Sequence, residues 1–360
     1  MSALSPAVVA AIEEAIEAGQ TPGAVCLIAR GSETLCHEAV GDRALAPERL
    51  PMEPDTVFDM ASVTKVVATT TVVMQLMERR VLSLEDTVQG WLPEFPDKRV
   101  RLRHLLAHSS GLPAHRNYAT LLGREVPPEE RWERWERVVG EICRLSQEYK
   151  PGEGTVYSCL GFILLAQIVR LASGRGVEKL ARGGVFEPLG MSDTDFCPSP
   201  EMTARCAATE RLCEGVLLGV VHDENSRYLG GVGGNAGLFS TADDLLRFAR
   251  AILGGGTLGG ERILRAETVD AMLEQQPGGE GERRCLGWRR ANATDPHMHG
   301  APTVESAGHT GYTGTCLWID RASGLVVILL SNRVHMGRNA EIEPLRRRVG
   351  AIAARIGGRP

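Results

Sequence analysis

Long hydrophobic runs are missing from this chain. A membrane-crossing helix needs roughly 20 consecutive apolar residues, and the best stretch here, residues 325–330 (LVVILL), is only strand length. A dominant charge sign is missing too. Forty Lys and Arg against 45 Asp and Glu give a net charge of -5, without the basic footprint that nucleic acid demands. The nine cysteines, at 26, 36, 143, 159, 197, 206, 213, 285 and 316, are odd in number and contain no C-x-x-C pair, which argues against a disulfide framework. Residues 1–20 lack a basic segment followed by an apolar core, and Glu13, Glu14 and Glu17 mark an amphipathic helix instead. Reduced thiols and no export signal make the cytoplasm the expected compartment. No G-x-S-x-G elbow is present, which argues against an α/β-hydrolase. The glycines of 230–237 do not end in Gly-Lys-Ser/Thr, so they read as a tight turn beside a cleft and not as a phosphate loop.

What is present is an ordinary globular balance, 43% hydrophobic and 24% charged, over 360 residues. That length suits one large domain or two cooperating ones around a cleft. After the first helix, residues 23–29 and 33–40 read as strands joined at Arg30-Gly31-Ser32. Residues 62–77 are apolar or small apart from Lys65 and Gln75, and predict one buried helix of about four turns. A helical pattern broken by Pro and Gly fills 84–175, with further helices over 160–172 and 241–253. Strands return at 284–290, 313–319 and 325–331, and a last helix covers 340–356. Strands at both ends imply an α/β (α+β) architecture: a sheet domain from residues 1–57 and 281–360, and a mainly helical domain, 58–280, inserted between, with the active site in the cleft.

Lys65 is the only charge between Asp59 and Glu78. Ser62, one helical turn earlier, stands near the helix N-terminus, where its hydroxyl can bond the lysine and gain from the helix dipole. Two readings fit that pair alone: a nucleophile with its proton partner, or a capping serine beside a lysine that snorkels to water. Further segments shift the balance. Tyr157, one of five tyrosines, follows the Lys150-Pro151-Gly152 turn and precedes an apolar helix, where a loop would expose it. His309-Thr310-Gly311 lies among glycines that let a ligand approach the backbone.

S-V-T-K at 62–65, Y-S-C at 157–159 and H-T-G at 309–311 resemble the three motifs of the serine β-lactamase-related family, with the order and spacing of its class C branch. R-H-L-L-A-H-S-S-G-L-P at 103–113, G-G-N-A-G-L-F-S-T-A-D-D-L at 233–245 and G-H-T-G-Y-T-G-T at 308–315 extend the likeness over nearly the whole chain. The resemblance implies a β-lactamase/transpeptidase-like fold, an antiparallel sheet with flanking helices. It also implies acyl transfer through Ser62, with Lys65 and Tyr157 as coupled proton-transfer partners and His309 beside them. The backbone N–H groups of Ser62 and Tyr312 would form the oxyanion hole, and Cys159, Thr310 and Gly311 would line the substrate path. No metal or cofactor is implied. The partner is a small ester or amide, and the oligomeric state stays open.

Two departures bear on the substrate. Cys159 stands where much of the family has asparagine, and His309 where β-lactamases usually have lysine, so a permanent cation and a carboxamide are both expected to be missing. Both favour an esterase over a D-amino-acid peptidase or a β-lactamase. A non-catalytic binder on the same fold is the reading of another class, and the intact Ser62, Lys65 and Tyr157 argue against it. Other candidates carry less. His104 and His108, four apart, could share a metal but match a family turn. His297 and His299 read as a surface loop, and His222 lacks a helix-spaced partner. Trp132 and Trp135 read as packing more than as a substrate entrance.

Overall fold

The computed structural model describes residues 4–123, 125–126, 130–277 and 283–357. Helix α1 (Ser5–Glu17) leads into the hairpin β1 (Gly23–Arg30) and β2 (Glu33–Ala44), followed by the short β3 (Leu50–Pro51). Helices α2 (Thr71–Glu78), α3 (Arg131–Cys143), α4 (Cys159–Ser173) and α5 (Ala242–Leu253) dominate the middle of the chain. Strands β4 (Arg289–Arg290), β5 (Ala307–Thr310), β6 (Cys316–Asp320) and β7 (Leu325–Ser331) then complete one sheet, and α6 (Glu343–Gly357) closes the chain. The strand order is β4-β5-β6-β7-β1-β2-β3, antiparallel throughout. Strands from the two ends of the chain therefore meet at β7 and β1, with Cys26 opposite Leu329 and Leu27 opposite Ile328.

Those central strands are covered on both faces, which is why their sequences run apolar without alternation. Successive side chains still point opposite ways. Ala24, Cys26 and Ile28 of β1 join Val327 and Leu329 against α1 and α6, where Val8, Ile12, Leu345 and Val349 meet them. Val25, Leu27, Val326, Ile328 and Leu330 face the other way, into a core shared with α5 and the helices of the middle region. Thr241 caps α5 by accepting the Asp244 N–H at 3.4 Å. Residues 58–280 also hold a small sheet of Phe58–Asp59, Leu238–Ser240 and Asp195–Phe196, which ties the segment before Ser62 to the glycine-rich turn.

The single four-turn helix expected over 62–77 is instead three pieces. Ala61–Val63 forms a 3₁₀ turn, Lys65–Thr70 winds as a wider π-helix, and only α2 is regular. The cause lies in the crowd of β-branched residues and in hydroxyls that compete for backbone partners. Thr71 Oγ donates to the Val66 carbonyl at 2.9 Å and Thr69 Oγ to the Gly234 carbonyl at 2.7 Å. The strand expected over 284–290 shrinks to β4, because the Cys285 N–H turns back to the Trp288 carbonyl at 2.9 Å. The next strand starts at Cys316, since residues 311–315 form the turn after β5.

Candidate active site

The turn before Ser62 is fixed by a buried carboxylate. Asp59 accepts the N–H groups of Ala61 (2.8 Å) and His222 (2.7 Å). Burial raises the Asp59 pKa, and these two bonds work against the rise. Ala61 takes φ +44°, a backbone strain of the kind that collects at functional sites. The turn after β5 is stitched to the same segment. Thr313 Oγ donates to the Asp59 carbonyl at 2.8 Å and Thr315 Oγ to the Met60 carbonyl at 3.1 Å. Gly311 allows the approach, because a Cβ there would sit 2.6 Å from the Met60 carbonyl oxygen. Ser62 and Tyr312 are thus carried by two segments bonded to each other.

Lys65 does not snorkel. It is 0% exposed, and its ammonium donates to Ser62 Oγ at 2.9 Å, to the Asn235 carbonyl at 2.9 Å and to Cys159 Sγ at 3.6 Å. Three donors meet three acceptors, which is what a buried ammonium requires. Burial disfavours its charge, but Cys159 and Tyr157 outweigh that, so its pKa stays raised. The glycine-rich turn is therefore part of the site, through the Asn235 carbonyl.

Tyr157 is half-buried, not the exposed loop residue expected from its position. The loop after His104 clamps its segment: Val156 N–H donates to the His108 carbonyl at 3.0 Å, Ser158 N–H to His108 Nδ1 at 3.0 Å, and Cys159 N–H to the Ala114 carbonyl at 2.8 Å. Ser158 also caps α4. The Tyr157 ring lies 4.6 Å from the His108 ring and 5.7 Å from that of His309, with the Lys65 ammonium 5.0 Å from its centroid. Burial pushes the phenol up, and Lys65 pulls against that rise. Cys159 is also affected: burial raises its thiol, but Lys65 and the His115 imidazole overcome this and leave its pKa below the usual value.

His309 sits on β5, 3% exposed, opposite Leu317 of β6. Its Nδ1 lies 2.8 Å from the Thr310 carbonyl. A carbonyl only accepts, so the proton sits on Nδ1 and the buried Nε2 keeps a lone pair. Burial, Lys65 and Arg284 hold its pKa well below 6.5. His309 is therefore neutral near neutral pH and supplies no charge in place of the lysine usual at this position.

Ser62, Tyr157, Cys159, His309, Thr310 and Gly311 line one cleft of about 760 Å³, with Lys65 beneath its floor. Tyr312 forms an outer lip. Tyr312 is 50% exposed, and its ring stacks on His222 at 5.6 Å and under the Arg333 guanidinium at 4.5 Å.

A family model described as Beta-lactamase matches residues 8–351. The chain belongs to the beta-lactamase family. It is 31% identical over 308 residues to a "Putative D-alanyl-D-alanine carboxypeptidase" of Escherichia coli K12, covering 78% of this chain and 70% of that protein. Among solved structures it resembles a class C beta-lactamase from Rhodobacter sphaeroides, with TM-score 0.76 and 22% identity over 98% of this chain and 99% of that one. A further likeness is to EstCE1, described as a hydrolase with promiscuous acyltransferase activity, with TM-score 0.74 and 22% identity over 97% and 98% of the two chains. The protein is thus a hydrolase of the serine beta-lactamase fold.

Several cleft residues of this family member escaped the sequence reading. Arg284, Arg289, Arg333, Arg338 and Arg346 line the cleft, so the expectation that it lacks a permanent cation is corrected. The cations come from outside the three motifs, and an arginine's sequence neighbours do not reveal that it will be drawn inward. His222 and His299, read as surface or unpaired, also line it, His299 donating to Glu343 at 3.0 Å. Of the remaining candidates, His104 accepts the Arg101 N–H at 3.1 Å within its own turn. Trp135 is buried, and Trp132 lies between the guanidinium groups of Arg131 (4.4 Å) and Arg170 (4.3 Å).

Proposed function

We propose that this protein is a carboxylic-ester hydrolase working through an acyl-enzyme on Ser62. The observation that carries the reading is the buried ammonium of Lys65, which joins Ser62 Oγ at 2.9 Å to Cys159 Sγ at 3.6 Å beside Tyr157. With Tyr157 ionised to its phenolate beside the Lys65 ammonium, Ser62 Oγ attacks the ester carbonyl and passes its proton to that phenolate. The N–H groups of Ser62 and Tyr312 hold the developing oxyanion. The same proton goes to the departing alcohol as the C–O bond breaks. Water then attacks the acyl-enzyme, gives a proton to the pair, and frees the acid as Ser62 recovers its hydrogen. Thr310 and Gly311 flank the bound substrate. No cofactor or metal enters any step.

Cys159 sets the preference for esters. A substrate amide meets a weakly polar thiol there in place of a carboxamide, and a lost hydrogen bond of that kind costs about 1–3 kcal/mol. The arginines of the cleft support a second reading, cleavage of a carboxylate-bearing amide such as the D-alanyl peptides named for the Escherichia coli relative. Kinetics separate the two. We expect kcat/KM for a short p-nitrophenyl ester to exceed that for nitrocefin and for a D-alanyl-D-alanine peptide by at least about tenfold, with Cys159→Asn narrowing the gap. Faster turnover of nitrocefin or the peptide than of any short ester would give the protein to the second reading.

A further inference from the structure

Two positive charges lie against the Tyr157 ring. Besides Lys65, the Arg284 guanidinium lies 5.1 Å from the ring centroid, and Arg284 is only 3% exposed. We propose that Arg284 is a positioning residue that acts through Tyr157, supplying the permanent positive charge that makes the phenol able to release its proton. This rests on the acyl-transfer reading of Ser62 and adds to it a residue that lies outside all three motifs.

The scaffold holds Arg284 in place. Its carbonyl accepts the Gln276 N–H at 2.8 Å, and the backbone bridges to Arg289. The turn that follows is wedged into the core: Leu286 N–H donates to the Met272 carbonyl at 3.1 Å and Gly287 N–H to the Leu106 carbonyl at 2.9 Å. Gly287 has φ +76°, and a Cβ there would fall 1.9 Å from Thr70 Oγ. The turn carrying Arg284 thus packs against both the π-helix that bears Lys65 and the helix that leads to His108. Trp288, fully buried, stacks on Phe248 at 6.2 Å and closes the other side.

Among the described residues, several charged and titratable groups surround the Tyr157 ring. Lys65 faces it from the nucleophile segment, Cys159 from its own segment, His108 from the clamping loop, His309 from β5 and Arg284 from the turn before β4. Burial holds both histidines well below 6.5, so neither carries charge at neutral pH. Lys65 shares its charge among Ser62, Asn235 and Cys159. A guanidinium stays charged at every working pH. A positive charge held against the ring favours the ionised phenol over the neutral one.

The test compares the parent with Arg284→Gln, Arg284→Met and Arg284→Lys. Phenol ionisation is read by ultraviolet difference spectra, each protein against its own Tyr157→Phe counterpart. The pH dependence of Ser62 labelling by a fluorophosphonate is read in parallel. We expect both midpoints to rise by about one pH unit or more in the Gln and Met variants, with Lys restoring most of the shift. A role confined to holding the turn lowers Tm and leaves both midpoints unchanged, and unchanged midpoints in a folded Gln or Met variant overturn the proposal. Failure of the parent to label at Ser62 strikes the acyl-transfer reading instead, while the phenol titration still decides the role of Arg284.

Discussion

Lys65 and Tyr157 divide one task at the floor of the cleft. The lysine holds Ser62 Oγ and cannot reach water, while the tyrosine shares its field. Removing either group should therefore impair proton transfer without emptying the cleft. Lys65→Ala and Tyr157→Phe are each expected to lower kcat for ester hydrolysis by about 10² to 10⁴. Losses below about tenfold in both would make their contribution structural. The Ser62–Lys65 pair was legible in the sequence because a lone charge in an apolar stretch must find a buried acceptor. Arg284 and Arg346 were not, since they lie among many other arginines and only the fold separates buried guanidinium groups from exposed ones.

At the scale of elements, the two segments that meet at Ser62 are joined by side-chain hydroxyls and one missing side chain. Gly311→Ala would place a Cβ 2.1 Å from Thr315 Oγ and 2.6 Å from the Met60 carbonyl oxygen. Overpacking of that kind costs about 1–3 kcal/mol. Because it pushes the turn after β5 away from the Ser62 segment, we expect a lower Tm together with a kcat loss larger than the stability change alone explains. A variant with parental kcat and Tm would show that the contact has slack. Strands β1 and β7 were readable from their apolar runs, as was the extent of α5. The nucleophile segment was not: its apolar pattern predicts a regular helix, and the π-helix arises from hydroxyl contacts with Gly234 and Val66 that pattern does not record. The loop that holds His297 and His299 is irregular and partly exposed, as read, but its place at the cleft was not legible, since it depends on Glu343 of α6 holding His299.

At the scale of the whole molecule, folding buries two neutral imidazoles, His108 and His309, in the region where the termini-built sheet meets the helices. Both have folded pKa values well below 6.5. In the unfolded chain they take protons near 6.5, so below that pH the unfolded state binds more protons and stability falls. Their contribution is fully present above about pH 6.5 and is lost as the pH drops through the window between the unfolded and folded values. Buried Asp59 and Asp244, whose pKa values are raised, act in the opposite direction. The comparison is therefore with a variant: Tm should fall more steeply from about pH 7 to 5 in the parent than in His309→Gln. Parallel Tm curves would mean that His309 is not held neutral by the fold.

The proposed function asks the sheet, the clamped loop and the nucleophile turn to hold Ser62 as the acyl acceptor. Acid-quenched mass spectrometry after brief mixing with a short p-nitrophenyl ester tests that directly. We expect a single acyl group on the peptide containing Ser62, absent from a folded Ser62→Ala protein that has also lost hydrolysis. An acyl group on any other residue, or parental turnover by Ser62→Ala, would contradict it.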